Sequence, residues 1–81
     1  MEIRFRSAAK RVYFAAHKNY EPQLVEVWDF LEEVRQGRRS CPCEVGRTAH
    51  GYIRCGNGDV IVLTYERPET GLLFIKTIRR I

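Results

Sequence analysis

The sequence predicts one α+β domain, in which a hairpin of two helices packs on one face of an antiparallel sheet. Three observations lead to this prediction: an amphipathic stretch over residues 21–37, an alternating stretch over residues 2–6, and strand-like stretches after residue 48. The predicted element order is β-α-α-β-β-β. A chain of 81 residues has room for one domain, which we place at residues 1–81.

The first strand is predicted over residues 2–6, where the alternation places Ile3 and Phe5 on one side. Ser7 can then cap a helix over residues 8–18, because a serine side chain accepts a hydrogen bond from the first helical turn. Small and apolar residues share one face of this helix; they are Ala8, Ala9, Val12, Tyr13 and Ala16. A corner at residues 19–21 turns the chain into the second helix.

The second helix, over residues 21–37, has the clearest pattern in the chain. Its apolar residues recur every three or four positions, whereas its carboxylates fall largely off that stripe. The stripe consists of Leu24, Val27, Trp28, Leu31 and Val34. Pro22 suits the first turn, and Gly37 suits the left-handed conformation that ends a helix. Trp28, at the centre of the stripe, is predicted to be the main core anchor.

Three further strands are predicted over residues 50–55, 60–66 and 72–78, after an irregular loop. Asn57-Gly58 predicts a two-residue hairpin turn, because a type I′ turn needs positive φ at both central positions, and this turn pairs Cys55 with Val60. The residues placed beneath the helices are then Ile53, Cys55, Val60 and Val62, and those on the other face are His50, Tyr52 and Arg54. If Lys76 is kept out of the core, the last strand places Arg80 beside it.

The net charge is +4, from 14 Lys and Arg against 10 Asp and Glu. The basic surplus lies outside the acidic second helix, so a polyanionic partner and simple solubility both remain open interpretations. No apolar stretch is long enough to predict a membrane segment, and three cysteines with a close Cys41-Pro-Cys43 pair are typical of a reducing compartment. We therefore expect a cytoplasmic protein without disulfides.

The spacing of the cysteines argues against a zinc site. Cys41, Cys43, His50 and Cys55 have suitable donor atoms. Structural zinc sites usually use Cys-x₂₋₄-Cys spacing, and the predicted register turns His50 and Cys55 to opposite faces. No phosphate loop or catalytic triad order is present either. We therefore expect no bound metal and no cofactor.

The sheet face away from the helices is the predicted functional site. It combines an imidazole, two phenols and several cations, namely His50, Tyr52, Arg54, Tyr65, Lys76 and Arg80. Such a mixture can bind phosphates and stack on bases. An ordinary solvated sheet face has the same kinds of residues, and that interpretation also remains open at this point.

Several short motifs, spread over nearly the whole chain, resemble the RelE/ParE toxin superfamily. They are Arg-Phe-Arg-Ser-Ala-Ala-Lys at residues 4–10, the amphipathic helical hairpin, Gly-Tyr-Ile-Arg-Cys-Gly-Asn-Gly-Asp at residues 51–59, Val-Ile-Val-Leu-Thr-Tyr at residues 60–65 and a final Ile-Lys-Thr-Ile-Arg-Arg. The resemblance implies either ribosome-dependent mRNA cleavage or, as in the ParE branch, inhibition of DNA gyrase. In both cases it implies a cognate antitoxin as partner.

The resemblance also implies roles for individual residues. Arg54 matches the arginine that contacts the scissile phosphate, and Arg79 or Arg80 matches the basic residue of the last strand. The sequence has no counterpart of the C-terminal catalytic tyrosine of some members, and arginines replace the lysine-rich segment before the second strand.

For an endoribonuclease, the predicted chemistry is attack of a ribose 2′-OH on the adjacent phosphate. This reaction needs a base, an acid and a cation that stabilises the phosphoryl oxygens. The predicted catalytic residues are His50 as base or acid, Arg54 and Arg80; the predicted RNA contacts are Tyr52, Tyr65, Lys76, Arg47 and Arg79. The alternative is a non-catalytic inhibitor or adaptor that binds a protein, either of the gyrase-inhibiting or of a small phage type.

Overall fold

Two helices and four strands follow one another in the described part of the chain. The computed structural model describes residues 1–18, 23–56 and 58–81, without the side chains of residues 15–18, 23 and 24. The elements are β1 (Glu2–Phe5), α1 (Ser7–Lys18), α2 (Gln23–Arg35), β2 (Thr48–Arg54), β3 (Val60–Glu69) and β4 (Leu72–Arg80). The predicted α+β class and element order are confirmed. The predicted corner at residues 19–21, Pro22 and Asn57 lie outside the described residues.

The sheet is mixed, with the strand order β1-β4-β3-β2. β2, β3 and β4 form the predicted antiparallel meander, but β1 pairs with β4 in parallel, with Ile3 opposite Leu73 and Phe5 opposite Ile75. The prediction of a wholly antiparallel sheet is therefore wrong for β1. A strand that is followed by two helices can join either edge of a sheet in either direction, because its own alternation specifies only which side is buried.

α1 begins one residue earlier than predicted. The Lys10 amide donates to the Arg6 carbonyl at 2.8 Å, so Arg6 accepts the first hydrogen bond of the helix and Ser7 already lies inside it. The predicted cap by Ser7 is therefore wrong. Ala9 and Tyr13 point into the core, whereas Val12 is exposed.

α2 ends as predicted at Gly37, which has a φ of 77°. The Gly37 amide donates to the Val34 carbonyl at 3.2 Å, and the Arg38 amide donates to the Glu33 carbonyl at 2.9 Å. This pair of bonds is the Schellman arrangement, which satisfies carbonyls that the helix itself leaves without partners. Gly37 is therefore required for its backbone conformation.

Trp28 is not the core anchor that the stripe predicted. Val27, Leu31 and Val34 are buried, but Trp28 remains 39% exposed at the surface between the helices and β1. Its ring stacks on Tyr13 with centroids 5.8 Å apart, and Tyr13 stacks on Phe5 at 5.0 Å. The large ring therefore closes the edge of the core, while the smaller residues of the stripe fill its centre.

The register between β2 and β3 differs from the prediction by one residue. Arg54 pairs with Val60 and Ile53 pairs with Ile61, because the Cys55 amide donates to the Asp59 carbonyl at 2.8 Å and closes a longer connection than a two-residue turn. The shift exchanges the two sides of β3, so Val60 and Val62 face away from the helices. The buried side of β3 carries Ile61, Leu63 and Tyr65.

The helices cover only one side of the sheet, as predicted. The buried residues between the two layers come from both helices, from β3 and β4, and from the loops before and after β2; they are Ala9, Tyr13, Val27, Leu31, Val34, Cys43, Cys55, Ile61, Leu63, Tyr65, Leu73, Ile75 and Ile78. Neither described helix is long and apolar enough to cross a lipid bilayer.

Alkaline unfolding should report on Tyr13. Burial, helped by the nearby Glu32 carboxylate, raises the pKa of Tyr13 from 10.0 to about 12. Because the neutral phenol is favoured in the folded state, its contribution to stability is complete below pH 10 and is lost as the pH rises through 12. We expect the free energy of unfolding, measured in urea at pH values from 10 to 12, to fall less steeply with rising pH for Tyr13→Phe than for the parent protein. Equal slopes for the two proteins would contradict this assignment.

Candidate functional site

Neither helix lies on the other side of the sheet, which no described residue outside the sheet covers, and we call this side the open face. The strand pairing arranges its residues in rows across the sheet. One row contains Thr48, Glu66, Phe74 and Arg4; the next contains His50, Thr64 and Thr77; the third contains Tyr52, Val62 and Arg79; the last contains Arg54 and Val60. The open face therefore collects the predicted residues His50, Tyr52, Arg54 and Arg79.

A chain of hydrogen bonds crosses the His50 row. The Thr77 hydroxyl donates to Thr64 Oγ1 at 2.8 Å, and Thr64 Oγ1 lies 3.3 Å from His50 Nδ1. Thr64 Oγ1 can donate to Nδ1 or accept from it, according to the tautomer of the imidazole, and in both cases the contact holds Nδ1. The chain thus orients the ring of an exposed histidine and leaves Nε2 for a ligand. The two threonines were not predicted, because the predicted register put Thr64 on the helical side and strict alternation from Ile75 put Thr77 there too.

Tyr52 is the most prominent side chain of the open face. It lies between His50 and Arg54 along β2 and is 71% exposed. Its cross-strand neighbour is Val62, which in turn pairs with Arg79 on β4. An exposed ring with cations on neighbouring positions can stack on a base while the cations contact phosphates.

A bulge in β4 separates Lys76, Arg79 and Arg80. Thr64 pairs with Thr77 but Tyr65 pairs with Ile75, so Lys76 is an extra residue without a partner on β3. The bulge reverses the alternation after it, which brings Arg79 to the open face. Arg80 instead pairs with Ile61 on the helical side, where its Nη1 lies 3.8 Å from Asp59 Oδ2. The placement of Arg80 beside Lys76 and Arg54 is therefore wrong.

Tyr65 lies in the core and cannot stack on RNA at the surface. It is 1% exposed, its ring lies 6.4 Å from that of Phe30, and burial raises the pKa of its hydroxyl strongly. Gly51 lies against this ring: a Cβ added to Gly51 would overlap the Tyr65 hydroxyl and lie 2.8 Å from Cε2. The prediction that Tyr65 binds nucleic acid is wrong, because the one-residue register shift turns it inward.

Arg47 is exposed just before β2 but does not join the open face. Its carbonyl accepts the Arg67 amide at 3.1 Å and the Cys43 thiol at 3.0 Å, so the backbone at Arg47 is fixed beside β3. The alternation of β2 places this residue on the side of Ala49 and Gly51, beneath the helical layer. Arg47 is therefore an exposed cation of the preceding loop, apart from His50 and Tyr52.

Cations outnumber carboxylates on the open face. The open face and its bulge carry Arg4, Arg54, Lys76 and Arg79 against Glu66 and Glu2, the latter bound to Arg4 at 2.8 Å. The carboxylates of α2 lie in the helical layer; they are Glu26, Asp29, Glu32 and Glu33. The same layer also holds cations of both helices, Lys10, Arg11 and Arg35 among them, so it is not acidic as a whole. The surplus of cations on the open face itself favours a polyanion there.

The cysteines and His50 are not brought together. Among the described residues no group of three or more His, Cys, Asp and Glu side chains could hold a metal ion. All three cysteines are free thiols; Cys43 and Cys55 are buried, whereas Cys41 is partly exposed. Cys41 and Cys43 lie in the loop before β2 as predicted, whereas Cys55 lies just after the end of β2 and not in a core strand.

Native-state alkylation should distinguish these thiols. Burial raises the pKa of Cys43 and of Cys55, which suppresses the reactive thiolate at both positions. With iodoacetamide at pH 8 and peptide mass spectrometry, we expect Cys41 to be labelled first and the other two only on unfolding. Labelling of Cys55 as fast as Cys41 in the folded protein would contradict its placement in the core.

Comparisons of the chain with models of known protein families, with curated protein sequences and with solved structures find no match.

Proposed function

We propose that the protein binds single-stranded RNA on the open face and acts as the toxin of a toxin–antitoxin pair, as a ribosome-dependent mRNA endoribonuclease. The observation that carries this proposal is the exposed Tyr52 between His50 and Arg54, on a basic sheet face that no helix covers. The proposal places the protein in the cytoplasm, with ribosome, mRNA and a cognate antitoxin as partners.

RNA binding is the first step of the proposed function. Single-stranded RNA is read by sheets whose aromatic side chains stack on unpaired bases, while cations follow the phosphates. Tyr52 supplies the aromatic ring, and Arg54 and Arg79 flank it along and across the strands. Lys76 and Arg4 extend the positive charge toward the β1 side of the same surface.

The cleavage step uses His50 and Arg54. The Cα atoms of these residues are about 13 Å apart along β2. The Arg54 side chain must therefore extend alongside that of Tyr52 to contact the same phosphate as the imidazole. The P–O2′ bond forms as the P–O5′ bond breaks, and the guanidinium stabilises the charge on the phosphoryl oxygens. His50 either takes the proton of the 2′-OH or gives a proton to the leaving 5′-oxygen, and water carries out the other of these two transfers. Arg79, from the neighbouring row, replaces Arg80 as the second cation of this proposal.

The RNA-binding step is tested by comparing variants of Tyr52. Loss of a stacked base costs about 1–3 kcal/mol, so Tyr52→Ala should weaken binding of a labelled oligouridine by roughly 5- to 150-fold. Tyr52→Phe keeps the ring and should bind nearly as the parent protein does. Fluorescence anisotropy at several salt concentrations measures both affinity and the number of phosphate contacts.

A matched control is Phe14→Ala, which removes an exposed aromatic ring from the helical layer. It should leave RNA affinity unchanged. Equal losses for Tyr52→Ala and Phe14→Ala, or no RNA binding by the parent protein, would reject the open face as an RNA site.

A non-catalytic inhibitor or adaptor is the second candidate. It is favoured by Val60, Val62 and Phe74, which are half-buried apolar residues on the open face and could equally pack against a protein such as DNA gyrase. Mapping of mRNA 5′ ends after expression separates the two: new ends inside coding regions support cleavage. Growth inhibition without new ends would favour the inhibitor.

A further inference from the structure

β2 is an edge strand with an unpaired row of backbone groups. The Cys55 amide donates to Asp59 at 2.8 Å, and the Arg67 amide donates to Arg47 at 3.1 Å. In an antiparallel pair these bonds recur at every second residue, so the odd-numbered residues of β2 bond to β3. The N–H and C=O groups of His50, Tyr52 and Arg54 therefore point away from the sheet, and within the described chain they have no hydrogen-bond partner.

A groove of about 510 Å³ runs beside this edge, between β2 and α2. Phe30 and Ile53 give it an apolar floor, and the buried Tyr65 ring packs beneath Gly51, where a side chain would not fit. Since α2 does not close over β2, a side chain that enters from the strand edge can reach this floor. The groove and the unpaired backbone thus lie next to each other.

The α2 wall of the groove is acidic. Glu26, Asp29 and Glu33 recur at helical spacing along it. Glu26 Oε1 accepts the Gly56 amide at 2.6 Å, and Glu33 Oε2 accepts Arg39 Nε at 2.8 Å. Asp29 is exposed and forms no ion pair within the described chain. Two cations line the groove as well: Arg39, which lies over the Phe30 ring with Cζ 5.2 Å from the centroid, and Arg54. Since Arg39 offsets Glu33, Asp29 is the carboxylate of this wall that remains for a cation of a ligand.

From these features we infer that β2 receives an extended peptide segment of a partner protein as a fifth strand, with a lysine or arginine of that segment in the groove. Peptides that extend a sheet gain main-chain hydrogen bonds from the edge and specificity from pockets for alternate side chains. The aliphatic stem of the basic residue packs on Ile53, beside the Phe30 ring that Arg39 covers, and its cation faces Asp29. This inference does not depend on RNA binding by the open face.

A second copy of this chain is a poorer occupant. In an antiparallel pairing of two β2 strands, the residues turned toward the partner's groove are Ala49, Gly51 and Ile53, and none of them carries a positive charge. The acidic wall also opposes a nucleic acid in the groove.

The test uses a capped seven-residue peptide that alternates lysine with threonine, and a counterpart with glutamate in place of lysine. On binding of the lysine peptide, amide hydrogen exchange at His50, Tyr52 and Arg54 should slow by roughly tenfold or more, because these N–H groups gain acceptors. Gly51 and Ile53, already bonded to β3, serve as internal references. The glutamate peptide should bind at least about tenfold more weakly.

Two pairs of variants separate backbone pairing from charge. Tyr52→Pro removes one outward N–H without touching the β3 ladder, so it should bind the lysine peptide roughly tenfold more weakly than Tyr52→Val, which keeps that group. Asp29→Lys should weaken binding by a similar factor. Glu69→Lys makes the same charge change at the β3–β4 turn and should have little effect. If Tyr52→Pro does not fold, amide exchange in the parent chain and Asp29→Lys decide the question.

Four outcomes would overturn the inference. They are equal binding of the two peptides, unchanged exchange at His50, Tyr52 and Arg54 with the lysine peptide bound, and slowing of these amides without peptide as protein concentration rises, which would indicate a second copy. The fourth is stronger protection of the same amides by oligouridine than by the peptide, which would assign the edge to nucleic acid.

Discussion

Leu63→Ala is expected to lower the free energy of unfolding by about 2–5 kcal/mol, whereas Val62→Ala should cost about 1 kcal/mol or less. Leu63 is 0% exposed at the centre of the sheet, opposite Ile78 and beneath the helices. Its truncation leaves a cavity that the sheet and the helical layer cannot collapse into. Val62 is half-buried on the open face, and its loss removes less apolar area from contact.

Urea unfolding of the two variants measures this difference directly, and equal m-values would show that both unfold from the same native state. The comparison is sharp because the residues are adjacent and both apolar. The register predicted from the sequence requires the opposite order, with Val62 in the core. A larger loss for Val62→Ala would therefore reject the pairing of Ile53 with Ile61.

The register could not be predicted because β3 is apolar on both sides. Four apolar residues follow one another in β3, namely Val60, Ile61, Val62 and Leu63. The strand therefore contains no alternation that would reveal a wrongly predicted turn length. The sequence signal at Gly58 correctly indicated a reversal of the chain, and Gly58 has a φ of 92°. Its amide bonds to the Cys55 carbonyl at 3.0 Å, inside a connection one residue longer than a two-residue turn requires.

The predicted alternation of β4 was also wrong, again because the pairing of the strand could not be read from its sequence. Strict alternation from Ile75 would bury Thr77 and expose Ile78, but the bulge at Lys76 puts two non-core residues in succession and returns Ile78 to the core. Bulges have no strong sequence signature, so their effect on all later positions is hidden until the pairing is known. This explains why Arg79 and not Arg80 reaches the open face.

Features set by local chemistry were predictable. The alternation of β1, the three-and-four spacing of α2 and the left-handed Gly37 each depend on neighbours in sequence, and all three are confirmed. The amphipathic pattern could not decide which residue of the stripe is deepest, because that depends on where α2 crosses the sheet. His50, Tyr52 and Arg54 stayed together for a related reason: residues two apart on one strand share a face in any register.

His50→Ala is expected to reduce RNA cleavage by at least about a hundredfold, while oligouridine affinity changes far less. A positioned acid or base contributes roughly 10²–10⁴-fold to such a reaction, whereas binding is distributed over Tyr52 and the cations of the open face. Single-turnover cleavage on programmed ribosomes and anisotropy on free RNA measure the two effects separately. A parallel loss of affinity and rate would make His50 a binding residue only.

Arg54→Ala should also reduce cleavage by about a hundredfold, because loss of one preorganised donor to the phosphoryl oxygens costs roughly 3–4 kcal/mol of transition-state stabilisation. Arg38→Ala is the matched control, since Arg38 is an exposed arginine after the end of α2 and lies away from the open face. Equal losses for the two arginine variants would point to general electrostatic attraction of RNA. No cleavage by the parent protein would reject catalysis altogether.

Thr64 provides the most specific test of how His50 acts. Its hydroxyl lies 3.3 Å from Nδ1 and is itself held by Thr77 at 2.8 Å, so it fixes the ring and leaves Nε2 facing the RNA. Thr64→Val removes this hydrogen bond at nearly constant volume and should lower kcat by roughly tenfold with little change in KM. Thr64→Ser keeps the hydroxyl and should recover most of the rate. Failure of serine to do so would mean that the β-branched shape of Thr64, and not its hydrogen bond, supports His50.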